Sequence, residues 1–347
     1  MGNRTKRKFI GGTAAAVLAA ALAAVILLDL LPKKTEKRSV TAVAMGSVLR
    51  IDVYGGADDT LQTAQDAVHA LDGKISRTID TSFVCRINEN TVYDTDREFV
   101  GFLQTLIDIS AVTDGAFDIT VGGLTDLWDI EAAQPRIPAE KEIAQTLSAI
   151  GYQKIQIDGT TVSVPAGMLL DMGAAGKGMA CDAIKAALEQ DKTVTGAVAA
   201  SGGSILVYGK HPEKKSWTVG VRDPDGGEND LMGTITTAAC CLSTSGNYEK
   251  YFILNGKRYC HILSPFDGYP ADSGLKSVTV RAATGMQSDA LSTACFVLGV
   301  GKSLPILEKF GADAVFVTDD NAVHVTEGLR RDFEITNTAY HIADFDL

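Results

Sequence analysis

Apolar positions recur along this chain with two different spacings, and the switches between them divide it into elements. Leu61, Ala64, Val68, Leu71 and Ile75 recur every three or four residues, which predicts a helix over 61–75. Helices are also predicted over 99–113, 175–188, 288–298 and 304–310. Residues 41–54 read as a strand pair or a bent strand with a kink at Gly46. Residues 154–164 read as a short hairpin around Asp158-Gly159. Residues 198–237 are strand-rich, with a turn at Asp223-Pro224-Asp225-Gly226, and a strand pair flanks Leu254-Asn255-Gly256. A strand over 278–282 and a hairpin of 314–318 with 323–326 complete the pattern. Strands and helices fall in segregated blocks, which favours an α+β fold over a doubly wound parallel sheet.

The N-terminus departs from both spacings. Arg4, Lys6, Arg7 and Lys8 form a basic cluster, and Phe9 to Leu28 then run without a charge. That run is long enough to cross a bilayer as a helix, and its Ala-rich composition resembles the apolar region of a signal peptide. Ala21-Leu22-Ala23 offers a small-residue cleavage site. The expected organisation is a signal peptide or anchor over 1–31, a polar basic linker over 32–40, and one domain over 41–347. The body is expected outside the cytoplasm, tethered to the cell membrane or released from it.

Composition narrows the function. The 347 residues are 46% hydrophobic, enough for a sizeable core, and carry a formal net charge of -11. An acidic chain offers no electrostatic footprint for nucleic acid. None of the six cysteines has C-x-x-C spacing, so they read as buried free thiols rather than metal ligands.

Three segments carry candidate chemistry. Asp114 to Thr120, followed by Gly122-Gly123 and Trp128, lets the backbone approach a ligand closely, and equally reads as a plain turn. Leu170-Asp171-Met172-Gly173-Ala174-Ala175-Gly176-Lys177-Gly178 precedes a helix, where small residues expose N–H groups suited to a phosphate. It matches neither a Walker A loop nor a Rossmann glycine pattern. Asp289 and Thr293 stand four apart and share a helix face, two hard oxygens of the kind Mg²⁺ prefers; Asp289 also reads as a helix N-cap or first-turn carboxylate. His261 lies between strand-like residues, a setting more often structural than catalytic.

Taken in order, these segments resemble the FAD:protein FMN transferase (ApbE) family from Met45-Gly46 to about Phe333. The resemblance rests on Met45-Gly46-Ser47, Ser82 to Asn88 ending in Arg-Ile-Asn, Gly115 to Thr120 with Trp128, and Asp171 to Gly178. Gly202-Gly203, Trp217 to Pro224, Ser245-Gly246-Asn247-Tyr248, His261-Ile262 and Asp289 to Thr293 complete it. It implies an α+β fold with T-fold-like halves. It implies that Asp289, Thr293 and the Gly176 carbonyl hold Mg²⁺. It implies that Met45, Thr78, Ala116, Phe117, Asp118, Gly173, Lys177 and Met179 line the FAD site, with His261 near the phosphates as the catalytic candidate. The partner implied is an exported electron-transfer protein that accepts FMN on a Thr or Ser hydroxyl. An FAD pyrophosphatase and a non-catalytic flavin-binding protein are the alternatives. Three positions depart from the family pattern: Ser264 replaces an acidic residue, Thr78 stands where an aromatic is common, and Gly176 replaces Ala. Asp267 or Asp171 is the expected substitute for the missing carboxylate.

Overall fold

The computed structural model describes residues 36–345. The expected signal or anchor segment, 1–31, lies outside the described residues. Among the described residues no helix is long and apolar enough to cross a membrane.

The fold is a mixed α/β fold built on one nine-stranded sheet whose strands follow each other in space as they do in sequence. Strands β1 (Lys37–Ala44) and β2 (Ser47–Gly55) form a hairpin closed by Met45 and Gly46, with φ of 53° and 67°. Positive φ at both central residues matches the right-handed twist of the flanking strands. β1 already alternates exposed and covered positions from Lys37, so the last four residues of the expected linker are strand. β3 (Val194–Ser201), β4 (Ser204–Gly209), β5 (Cys240–Gly246), β6 (Leu275–Ala282), β7 (Asp313–Thr318) and β8 (Ala322–Val325) continue the sheet antiparallel. The short β9 (His341–Ile342) pairs parallel at the edge.

The helices are α1 (Thr60–Ile75), α2 (Phe83–Asn90), α3 (Arg97–Val112), α4 (Gly122–Trp128), α5 (Glu140–Leu147), α6 (Gly173–Gln190), α7 (Gly285–Leu298) and α8 (Val300–Phe310). The order strand-strand-helix-helix-strand-strand occurs twice: β1, β2, α1, α6, β3, β4, and then β5, β6, α7, α8, β7, β8. In the first half, residues 76–172 are inserted between the two helices. α6 packs on both α1 and α7, and the main core fills the space between these helices and the sheet. On the opposite face a three-stranded sheet of Trp217–Arg222, Leu231–Thr237 and Phe333–Ile335 buries Trp217, Val219, Met232 and Ile235 against Val207, Leu242 and Val315.

The helices expected over 61–75 and 99–113 and the hairpin around Asp158-Gly159 are present. Two differences matter for the site. Ser82 accepts a hydrogen bond from the Cys85 N–H at 3.0 Å and caps α2, an element the sequence pattern had not shown because it is only eight residues long. Gly173 to Gly178, the glycine-rich part of the segment read as a turn before a helix, lie inside α6, whose first residue is Gly173.

Candidate active site

The site is built where α6 crosses α7. A Cβ on Gly178 would lie 2.0 Å from the Gly285 carbonyl oxygen, and a Cβ on Gly285 would lie 2.0 Å from that of Gly178. Only two glycines permit this approach. The crossing is fixed by Asp182 of α6, whose two carboxylate oxygens accept from the N–H groups of Gly285 (2.7 Å) and Met286 (2.8 Å). The Thr284 side chain caps the same helix end through Gln287, which excludes the capping reading of Asp289.

Asp289 therefore faces α6 rather than solvent. It is 4% exposed, and its carboxylate accepts from the Gly178 N–H at 2.9 Å. Burial raises its pKa, while the Lys177 charge, the Gly178 N–H, the Ser204 hydroxyl and the Lys177 N–H favour the ionised form. Thr293, one turn on, lies 3.4 Å from the Ser245 hydroxyl, which lies 2.8 Å from that of Ser292. Behind Asp289, Ser243 donates to Ser204 at 3.0 Å and lies 2.8 Å from Ser288.

The β1–β2 hairpin closes one side. A Cβ on Gly176 would sit 3.2 Å from Met45 Cε, and one on Gly202 would sit 3.1 Å from both Lys177 Cδ and Ser47 Oγ. Met45, Ser47, Gly176, Lys177 and Gly202 thus gather around the first turns of α6. Among the described residues Lys177 Nζ reaches only the Gly173 carbonyl, at 3.4 Å, and keeps donors for a ligand.

The other expected residues divide. Ala116, Phe117 and Met179 are buried, with their side chains in the main core. Asp118 is buried too. Its carboxylate accepts from Thr120 N (2.8 Å), Thr120 Oγ1 (2.6 Å) and Tyr152 N (3.0 Å), so it pins the 150–152 loop. Gly173 is exposed at the start of α6 and donates to Asp171 Oδ1 at 2.8 Å. Thr78 is exposed on the loop after α1 and bonds Ser76. Its neighbour Arg77, which sequence reasoning missed, binds Asp171 (3.1 Å), the Gly122 carbonyl (3.2 Å) and Asp126 (2.7 Å).

His261 follows the hairpin of Tyr251–Leu254 and Lys257–Cys260 and donates its backbone N–H to Lys250. Trp128 braces this region by donating to the Gly268 carbonyl at 2.7 Å and stacking on Tyr259. His261 has accessible surface, yet protein surrounds it on its remaining sides. That desolvation, with the charges of Lys177 and Lys250, pushes its pKa down to about 4. The two carboxylates expected to replace the acid at Ser264 differ in their partners. Asp171 is held by Arg77, Thr125 and Gly173, and exposed Asp267 accepts from Tyr269 N.

Among the described residues no three or more His, Cys, Asp or Glu side chains gather as a metal cluster. A cation beside Asp289 would meet one carboxylate, hydroxyls and backbone oxygens. That set of hard donors fits Mg²⁺, which takes one or two carboxylates and keeps its waters. A buried carboxylate with hydrogen bonds but no ion pair among the described residues is also the group a cation would stabilise.

The ApbE family profile matches residues 45–316. The chain belongs to the ApbE family. A relative in Klebsiella pneumoniae (strain 342), an FAD:protein FMN transferase, is 30% identical over 88% of this chain and 97% of its own. One of the same name in Haemophilus influenzae is 30% identical over 87% of this chain and 91% of its own. The ApbE protein of Thermotoga maritima superposes with a TM-score of 0.79 at 31% identity, covering 86% of this chain and 99% of its own. The apo flavinyl transferase ApbE of Pseudomonas stutzeri gives 0.76 at 25% identity, over 86% and 98%. The family span begins at the Met45 hairpin and ends in β7, so it contains both halves of the α6–α7 crossing.

Proposed function

We infer that this chain is an FAD:protein FMN transferase that moves FMN from FAD onto a Thr or Ser hydroxyl of an acceptor protein and releases AMP. The observation that carries the reading is the buried Asp289 carboxylate, pinned to the Gly178 N–H beside Lys177 and Thr293 in a chain of this family.

Asp289, the Thr293 hydroxyl and the Gly176 carbonyl would hold Mg²⁺. When bound, Mg²⁺ supplies charge neutralisation across the pyrophosphate as AMP leaves. Lys177 adds a fixed positive charge on the same helix, whose N-terminal end favours the phosphates. Met45 and the loop bearing Thr78 form walls of the FAD site, and the two strand-strand-helix-helix-strand-strand halves read as T-fold-like. The acceptor oxygen forms a bond to the FMN phosphorus, the bond from that phosphorus to the AMP oxygen breaks, and the hydroxyl proton passes to His261. A histidine held neutral at pH 7 is competent to accept it. Most of the rate then comes from positioning and charge.

Residues 1–31 act as a signal peptide or membrane anchor and place the catalytic body outside the cytoplasm. The basic cluster and the uncharged run from Phe9 to Leu28 support this. The acceptor is an exported electron-transfer protein. Co-expression with such a protein, followed by intact mass, tests the transfer: an added FMN is expected. Free FMN formed from FAD and Mg²⁺ at the same rate without acceptor would make the enzyme a pyrophosphatase. FAD left intact in every metal condition would make it a flavin-binding protein. Protease added to cells with any outer layer opened should digest the body after Pro32, and full protection would overturn the export reading.

A further inference from the structure

We propose that Ser245 and Ser204, two serines of the central sheet, are positioning residues that aim Thr293 and Asp289 at the cation. The inference rests on the metal reading given above and assigns roles to residues outside the ligand set.

Proton counting fixes the direction of the first hydroxyl chain. Ser292 donates to the backbone carbonyl of Asp289 at 2.9 Å, and a carbonyl can only accept. The single proton of Ser292 is thereby used, so Ser245 must donate to Ser292 at 2.8 Å. Ser245 then has no proton left for Thr293, and Thr293 donates to Ser245 across 3.4 Å. The consequence is specific: the Thr293 proton points toward the sheet and its lone pairs point away from it. A hydroxyl bound to a cation must present a lone pair, and this chain presents it in advance.

The second chain serves Asp289. Ser204 bonds its carboxylate, and Ser243 lies 3.0 Å from Ser204 and 2.8 Å from Ser288, whose hydroxyl is also 3.0 Å from the Gly285 carbonyl. Ser288 and Ser292 sit on the same face of α7 as Asp289 and Thr293, while Ser243 and Ser245 sit two apart on β5 and share one face. Ser204, Ser243, Ser288 and Ser292 are all at most 1% exposed. Buried hydroxyls are costly unless each is bonded. A helix and a sheet needing only to pack would do so with apolar side chains. Each side-chain ligand instead has one strand serine behind it.

The test is Mn²⁺ binding to the full-length protein without FAD, read by the electron paramagnetic resonance of free Mn²⁺, with Mg²⁺ as competitor. Ser245→Ala and Ser204→Ala are each expected to weaken Mn²⁺ by about tenfold or more, the range for partners that orient metal ligands. Their melting in EDTA should shift no more than that of Ser303→Ala, a buried serine on α8 that should leave Mn²⁺ affinity unchanged. If Ser245→Ala does not fold, Ser204→Ala carries the test. Wild-type affinity in folded variants overturns the inference while leaving the metal reading in place, as does equal weakening by Ser303→Ala. No Mn²⁺ binding by the wild-type protein overturns both.

Discussion

The Gly178 N–H and the Asp289 carboxylate meet at 2.9 Å although 111 positions separate them in the chain. The contact exists because the backbones of α6 and α7 touch at Gly178 and Gly285, which leaves Asp289 only 4% exposed. Position of the carboxylate and packing of the helices are therefore one structural fact, and mutations there should separate into chemical and steric effects.

Asp289→Asn keeps the shape and the acceptor for Gly178 but removes the charge. Metal-dependent turnover should fall by at least about a hundredfold, comparable to losing one preorganised charge-stabilising group. Melting in EDTA should move little, since relief of the buried charge is opposed by the amide nitrogen facing one of the donors to the carboxylate. Normal activity at low Mg²⁺ would remove Asp289 from the ligand set.

Gly178→Ala is steric. The added Cβ would lie 2.0 Å from the Gly285 oxygen and 2.7 Å from Asp289 Cβ, so α7 must move. A loss of about 1–3 kcal/mol or more is expected, with activity falling alongside. Gly101→Ala, mid-helix in α3 with nothing within 4 Å of the new Cβ, should instead stabilise by about 0.5–1 kcal/mol. Chemical denaturation of the two variants checks both signs.

His261 has its pKa lowered to about 4 from 6.5, first by desolvation and then by Lys177 and Lys250. The unfolded chain therefore binds the proton more readily, and stability drawn from this group is lost as pH falls from about 6.5 through about 4. The acid limb of kcat/KM assigned to His261 should likewise lie well below pH 6.5. Lys177→Met removes a positive neighbour and should move the His261 pKa upward, which NMR titration of the ring would follow. A His261 pKa unmoved by the change would show that Lys177 does not act on the ring.

Asp118→Asn tests whether that residue is a ligand contact or an anchor. Oδ2 accepts from Tyr152 N at 3.0 Å, and an amide nitrogen placed there would oppose N–H to N–H. A loss of about 1–3 kcal/mol is expected from the unsatisfied buried donor. FAD affinity measured on the folded fraction should change less than tenfold. A large loss of affinity with unchanged stability would return Asp118 to the FAD site.

Much of this protein is determined locally, and those parts are legible in the sequence alone. The 3.6-residue spacing through Leu61 to Ile75 and the alternation along 41–54 reflect which side faces a core, a property each segment carries itself. The motif order from Met45 to Thr293 carried the family for the same reason: each stretch is short and contiguous. Gly178 with Gly285, Arg77 with Asp171, and Ser245 with Thr293 are different. Each joins residues far apart in the chain, so no local pattern marks them. Asp118 and Thr78 show the limit from the other side, since nothing within ten residues says that one carboxylate turns inward to hold a loop while one hydroxyl stays on the surface. Burial and partnership across the chain are set only when α6 crosses α7 on the sheet, because only packing decides which polar groups lose water and must find each other.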